Sequence, residues 1–336
     1  MNHDQILLAH GGGGRLSHAL ITDEILPRFG SGPLASLPDA AALELDSTRI
    51  RFTTDGFVVQ PLEFPGGNIG DLAVHGTVND LAVSGARPRW LSLGLILEEG
   101  LSLSLLRRVL DSIQRAAHDC GVIVATGDTK VVRRGQCDGL YITSSGIGEA
   151  LPGFDLGLDR IRPGDRVLVS GPLGDHGAAI LAAREGIQGF HAPVSDSRPV
   201  HRLVEGVSSL AAGIRFMRDP TRGGLATVLN EMTTGRDFGI LIRARELPFS
   251  PGTAALAEMM GLDLLHVASE GCLVMICAAE VAESILAVWR TVPEGQKAQA
   301  IGVVTPNQAG RVILESAIGG LRVVDVPSGE LLPRIC

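Results

Sequence analysis

"IGDLAVHGTVNDLAVSG", residues 69–85, carries its apolar side chains on one stripe at helical spacing and closes on a glycine, which predicts a helix. Before it lies "TRIRFTTDGFVV" (48–59) and after it "PRWLSLGLIL" (88–97), both strand candidates. Strand, helix, strand is the unit of an α/β protein, and the rest of the chain repeats it. A second helix, "SLSLLRRVLDSIQRAAHDCG" (102–121), has a glycine stop, and strands follow in "GVIVATGDTKVV" (121–132) and "GLYITSSGIG" (139–148).

The segment "EALPGFDLGLDRIRPGD" (149–165) is rich in Pro and Gly and predicts a domain boundary near residue 155. Beyond it the alternation resumes. "DRVLVSGPLG" (165–174) reads as a strand entering the helix "DHGAAILAAREG" (175–186), and "HRLVEGVSSLAAGI" (201–214) reads as one helix. "RFMRDPTRGGLATVLNEMTTGR" (215–236) reads as a loop and a helix, followed by strands at 238–244, 272–279, 298–305 and 310–316 with helices at 250–262 and 278–292. A chain of 336 residues is long for a single core, so the expected division is 1–155, 156–324 and a tail, 325–336. That tail, "DVPSGELLPRIC", has two prolines, no periodicity and a terminal cysteine. Fully extended, it would span roughly 40 Å at ~3.3–3.6 Å per residue.

Composition narrows the function. The 43 glycines are about twice the usual ~7 % share, which suits tight loops brought close to ligands. A net charge of −8 with no basic run excludes nucleic acid as an expected partner. No apolar run reaches the ~20 residues of a membrane span, and the N-terminus lacks a signal-peptide pattern, so a cytoplasmic protein is expected. Cys120, Cys137, Cys272, Cys277 and Cys336 form no CxxC pair and no zinc spacing, and their odd number argues against a disulfide framework. Cys272 and Cys277 lie in a buried-strand pattern, whereas Cys336 stands at the chain end with no neighbour to anchor it.

Chemistry concentrates where acidic or amide groups meet glycines. "HGGGG" (10–14) places Gly11, Gly12, Gly13 and Gly14 where backbone N–H groups could converge on an anion. "TTDGF" (53–57) supplies Asp55 beside Gly56, and "GTVNDLAVSGA" (76–86) supplies Asn79 and Asp80. "ATGDTKVV" (125–132) adds Asp128, Thr129 and Lys130 at the end of an apolar strand. Three carboxylates offer the hard oxygens that Mg²⁺ on a polyphosphate requires. GxxxxGK[ST] occurs nowhere, so a nucleotide would be held through metal rather than by a P-loop. Only two of the 29 basic residues are lysines, Lys130 and Lys297, which singles out the one inside "GDTK". In the second half, "MRDPTRGGLA" (217–226) gathers Asp219 and Arg222 before a helix, "GDHG" (174–177) sets His176 at a helix start, and "ASEGCL" (268–273) sets Glu270 before a buried strand.

"TTDGFVVQPLEFPGGNIGDLAVHGTVNDLAVSGA", "GDTKVV", "MRDPTRGGLATVLNE", "ASEG" and the terminal "PRIC" together resemble the HypE family of hydrogenase maturation factors, the carbamoyl dehydratases. That family shares an ATP-binding superfamily with aminoimidazole ribonucleotide synthetase and selenophosphate synthetase. The likeness spans essentially the whole chain, with "HGGGG" a mild departure from the usual family start. It implies a two-domain PurM-like α/β (α+β) fold with a homodimer built on the N-terminal domains, a β-barrel at their interface, and ATP and Mg²⁺ beside "DG", "ND" and "GDTK". It also implies that the carbamoyltransferase HypF loads a carbamoyl group onto the sulfur of Cys336. The mobile tail would then enter the ATP site, where S–C(=O)–NH₂ loses water to become thiocyanate, the source of cyanide for an iron carried by HypC–HypD. In that scheme Asp55, Asp80 and Asp128 hold Mg²⁺, and Lys130 stabilises developing charge. Asn79 and Thr129 orient phosphate or tail, and Glu270 or one of the aspartates acts as base. Selenophosphate synthetase fits less well, because it keeps a reactive cysteine near its glycine loop and no cysteine precedes Cys120 here. A scaffold whose nucleotide site merely regulates assembly is the non-enzymatic alternative.

Overall fold

The computed structural model describes residues 4–12, 15–30, 33–34, 40–187, 189 and 192–326. In chain order its helices are α1 (Arg15–Leu20), α2 (Leu26–Phe29), α3 (Ile69–Val83), α4 (Leu103–Cys120), α5 (Asp175–Arg184), α6 (His201–Gly206), α7 (Gly224–Thr233), α8 (Pro251–Met260) and α9 (Ala279–Trp289), with a π-helical turn, Ile21–Ile25, joining the first two. Its strands are β1 (Ile50–Phe57), β2 (Glu63–Phe64), β3 (Gly67–Asn68), β4 (Ala86–Glu98), β5 (Ile123–Val132), β6 (Leu140–Ala150), β7 (Arg166–Val169), β8 (Ile214–Arg218), β9 (Gly239–Arg243), β10 (Val274–Cys277), β11 (Gln299–Thr305), β12 (Val312–Glu315) and β13 (Leu321–Val323).

The N-terminal sheet runs β1-β6-β4-β5, antiparallel except for the parallel β4–β5 pair that α4 connects. A parallel pair needs such a crossover. Both helices start and stop where local chemistry dictates. Asn68 accepts from the N–H groups of Gly70 (2.8 Å) and Asp71, while Asp71 accepts from the Asn68 N–H (3.0 Å), a reciprocal cap contributing about 1 kcal/mol. α4 ends at Gly121, whose φ of 66° is the left-handed conformation glycine adopts without strain. α3 and α4 cover one face of the sheet. The opposite face leaves Ile50 and Phe52 exposed, Phe52 by 67 %.

Residues 166–323 build a seven-stranded sheet in the order β13-β12-β9-β11-β7-β10-β8, antiparallel except for β9–β12. Both faces are covered. Val167 and Val169 point toward α7, with Leu225, Leu229 and Met232, while Leu168 and Met275 meet α6 and α9 through Leu203, Leu286 and Trp289. A strand buried on both faces reads as a continuous apolar run, which is why "RVLV" and "VMIC" show no alternation. Ala82 and Val83 of α3 join this second core, so α3 is buried on nearly all sides and ties the two sheets together.

Two local readings change. Residues 201–214 form α6 and then a 3₁₀ turn, Ser208–Gly213, because Gly206 and the β-branched Val207 end the α-helix. Ile214–Arg218, expected as the last residue of that helix and the start of a loop, is the edge strand β8, paired to β10 alone. Among the described residues no helix is long and apolar enough to cross a membrane. The tail, apart from Asp325 and Val326, lies outside the described residues, as do Gly13 and Gly14.

Candidate functional site

A cavity of about 700 Å³ opens where the two sheets meet. β1 contributes Arg51 and Asp55, α3 contributes Asp80, and the second domain contributes Asp219, Arg222 and Glu270. Strand alternation explains the first part: Ile50, Phe52 and Thr54 face outward, so Arg51, Thr53 and Asp55 face α3. Thr53 Oγ1 donates to Asp80 Oδ2 (2.8 Å) and Thr77 Oγ1 donates to Asp55 Oδ2 (3.0 Å), which fixes both carboxylates at the strand–helix seam. At the start of α7, Gly223 and Gly224 have φ of 73° and 61°. A Cβ on Gly224 would lie 2.6 Å from the Val267 carbonyl oxygen, so only glycine lets the "TRGG" turn sit here.

The cavity is electrostatically crowded. Burial, reinforced by repulsion from Asp80, raises Asp55 to about 6, while Thr77 and Arg222 pull it back. Asp219 is pushed up to about 7, first by burial and then by Asp80. Negative charge held against its own solvation favours an incoming cation, so the carboxylate pair Asp55 and Asp80 suits Mg²⁺. Among the described residues, no three Asp, Glu, His or Cys side chains form a cluster that could hold a metal ion. Mg²⁺ borne on a polyphosphate keeps waters and takes only one or two carboxylates, so the residues present fit.

Asp128 and Lys130 lie elsewhere. A second cavity of about 280 Å³ is walled by Leu20, Ile25 and Phe29 of the N-terminal helical segment, Leu93 and Leu95 of β4, and Leu110 of α4. Its polar side holds His10, Gly11, Asp128, Thr129 and Lys130. Lys130 Nζ is 3.4 Å from Asp128 Oδ2, both side chains exposed, and the Thr129 N–H donates to Asp128 Oδ1 (2.8 Å). Gly11 packs directly on β5, where a Cβ would come within 2.9 Å of the Val131 backbone N. An apolar slot with a charged mouth suits a flat base bearing phosphates.

Comparison with known proteins places these features. Residues 38–150 match the N-terminal domain, and residues 162–315 the C-terminal domain, of the AIR synthase related proteins. The carbamoyl dehydratase HypE of Rhodobacter capsulatus is 46 % identical over 339 residues, spanning 100 % of this chain and 99 % of that one. The chain belongs to the HypE family. A crystal structure of HypE in complex with ATP superposes with a TM-score of 0.93 at 46 % identity, covering 98 % of this chain and 99 % of the other. A HypE–HypF complex superposes at 0.81 and 39 % identity, covering 92 % and 100 %. The two-domain PurM-like fold is therefore shared with HypE.

Against the HypE expectations, one chain brings Asp55, Gly56, Asp80 and Glu270 to the first cavity, and Gly11, Asp128, Thr129 and Lys130 to the second. Gly12 closes the turn beside Gly11, its N–H donating to the Ala9 carbonyl (3.3 Å). Cys336, the expected carrier, lies outside the described residues, as do Gly13 and Gly14. Asn79 is held by backbone. Buried in α3, it donates to the Arg198 (3.1 Å) and Glu270 (2.9 Å) carbonyls and accepts from the Val200 N–H (2.8 Å), so its amide is engaged by backbone rather than turned to a ligand. The apolar wall of the second cavity escaped the sequence reading, although Ile21, Ile25 and Phe29 recur at four-residue spacing, the signal of a helix face. Arg51 and Arg218 carried no such signal, since only the folded junction brings them to the acidic cluster.

Proposed function

We infer that this chain is a carbamoyl dehydratase of nickel–iron hydrogenase maturation, acting in the cytoplasm and converting the S-carbamoyl group on its own Cys336 to thiocyanate. What carries the reading is 46 % identity to a HypE carbamoyl dehydratase along the whole length, and an acidic cavity that suits a cation supports it. The balance is R–S–C(=O)NH₂ + ATP → R–S–C≡N + ADP + phosphate. When bound, ATP supplies the phosphoryl group that turns a poor leaving group, the amide oxygen, into a good one. Asp55 and Asp80, joined by Asp128, would hold Mg²⁺, which offsets phosphate charge there. Lys130 stabilises charge on the transferring group, and Thr129 orients the phosphates. We assign removal of the nitrogen proton to Glu270, and its burial at the rim of the acidic cavity supports that role.

Homodimerisation reconciles the two cavities. β1 and β5 are the opposite edges of the N-terminal sheet, three strand spacings or about 14 Å apart. A two-fold pairing of open faces, burying Phe52 and Ile50 in a barrel, sets the "GDTK" edge of one protomer beside the Asp55–Asp80 edge of the other. The base of ATP would enter the apolar slot and the phosphates would cross to the partner's carboxylates. Residues 1–155 would thus bind ATP and dimerise, 156–324 would close the site, and 325–336 would carry the sulfur. HypF loads the carbamoyl group, as its complex with a HypE supports, and HypC–HypD receives the cyanide. Intact-mass spectrometry with HypF, carbamoyl phosphate and ATP tests the scheme. Cys336→Ala should bind ATP yet gain no carbamoyl mass; Lys130→Ala should gain it and fail to lose water. Carbamoylated Cys336→Ala would remove the carrier, and dehydration by Lys130→Ala would remove the lysine.

A further inference from the structure

Glu270 stands on a loop whose backbone is held from two directions. Its own N–H donates to Asp196 Oδ1 (3.1 Å) and the next N–H, of Gly271, donates to Asp196 Oδ2 (3.1 Å). Its carbonyl accepts from Asn79 Nδ2 (2.9 Å). Asp196 is buried and lies on an extended strap, residues 192–200, that crosses between the two domains. The strap is itself pinned: the Ser195 N–H donates to the Pro65 carbonyl (2.8 Å), Ser197 Oγ pairs with His75 Nδ1 (3.1 Å), and the Val200 N–H donates to Asn79. Gly271 packs so tightly on it that a Cβ would fall 1.7 Å from the Asp196 carbonyl oxygen. The loop therefore has no position independent of the strap.

The chemistry asks for a carboxylate at this point. Two neighbouring N–H groups need two acceptors, and an ionised aspartate has both, whereas an asparagine offers one acceptor and turns an N–H toward the other donor. Burying that charge is costly unless hydrogen bonds offset it, and the two backbone donors offset part of the cost, burial still holding the Asp196 carboxyl above its ordinary range. No ligand of the cavity requires this charge, since Asp196 does not line it.

We propose that Asp196 is a positioning residue that fixes Glu270 at the rim of the acidic cavity, so that its carboxylate meets the carbamoyl nitrogen. The inference rests on Glu270 as the base and adds the group that aims it. Preorganisation of this kind acts on the chemical step more than on nucleotide binding.

The test is single-turnover phosphate release from full-length, HypF-carbamoylated protein. Asp196→Asn should lower the maximal rate about 10- to 100-fold and leave the ATP concentration at half-saturation within about twofold. Ile240→Val, a core change in β9 remote from strap and loop, calibrates the effect of a general loss of stability and should leave the rate unchanged. The double variant Asp196→Asn/Glu270→Gln should be no slower than Glu270→Gln alone, because a residue acting through Glu270 has nothing left to position. If Glu270→Gln is slow and Asp196→Asn matches wild type, or if the two losses multiply, the positioning role is wrong. If Glu270→Gln itself turns over normally, the reading of the base fails instead. Should Asp196→Asn not fold, Ser195→Ala, which removes the Oγ that accepts from the Ser197 N–H (3.1 Å), should give a smaller loss of the same kind. An unchanged maximal rate there overturns the proposal.

Discussion

His176 shows how one side chain reports the junction. It is fully buried in α5, its Nδ1 2.8 Å from Ser195 Oγ, its ring edge-on to Phe64, and its Nε2 without a hydrogen-bond partner among the described residues. Burial pushes its pKa down to about 3, against 6.5 for an exposed histidine. Below pH 6.5 the unfolded chain therefore binds a proton that the folded protein refuses. The contribution to stability is full above 6.5 and is lost as pH falls toward 3, by up to about 1.4 kcal/mol per unit. Asp55, Asp196 and Asp219, whose raised pKa values act in the opposite sense over an overlapping range, mask this in the wild type alone. The comparison with His176→Gln isolates it. The difference in unfolding free energy between the two proteins, measured by urea denaturation, should shrink by about 1–2 kcal/mol between pH 6.5 and 5. A difference independent of pH would mean that the imidazole titrates normally in the fold.

At the scale of elements, the glycine run after His10 divides into positions with different duties. Gly11 lies against β5, where a methyl group would come within 2.9 Å of the Val131 N and Cβ, while at Gly12 the nearest atom is an oxygen at 3.5 Å. Gly11→Ala should push the segment off β5 and open the apolar slot, raising the Kd for ATP several-fold at nearly unchanged Tm; Gly12→Ala should bind as wild type. Isothermal titration with ATP separates the two, and equal affinity would show that the slot does not hold the nucleotide. Sequence alone marked this run as special without ranking its members, because the neighbour that discriminates them is 120 residues away. The same limit runs through the whole fold. Helix 102–121 was legible because its one-sided periodicity and glycine stop are local, whereas the single apolar stripe expected for 69–85 gave way to a helix buried on nearly all sides. Ile214–Arg218 was not, since an edge strand of five residues is decided by its partner β10. Asp55, Asp80 and Glu270 could be picked out as polar groups beside glycines, but their meeting in one cavity depends on α3 serving both cores. Asn79 shared the motif with Asp80 and went to backbone, because one turn position on a buried helix faces the strap and the next faces the cavity.

For the whole molecule, the separation of Asp128 and Lys130 from Asp55 and Asp80 within one chain bears on the proposed homodimer. A single chain cannot bring the two edges of its own four-stranded sheet together without closing the sheet on itself, and four strands are too few for a barrel with a filled interior. Two chains supply eight. The composite site we propose has a consequence that no single-chain site shares. In a heterodimer of Lys130→Ala with Asp80→Asn, one site collects both changes and the other has neither. Co-expression with two affinity tags and sequential purification yields that heterodimer, and its phosphate release after carbamoylation should recover to about half of the wild-type rate, while each homodimer remains inactive. Were every site built within one chain, each protomer would carry its own defect and the heterodimer would be as dead as its parents. Recovery also requires that at least one of the two Cys336 tails reach the intact site, so activity in the heterodimer would establish the reach of the tail along with the shared architecture.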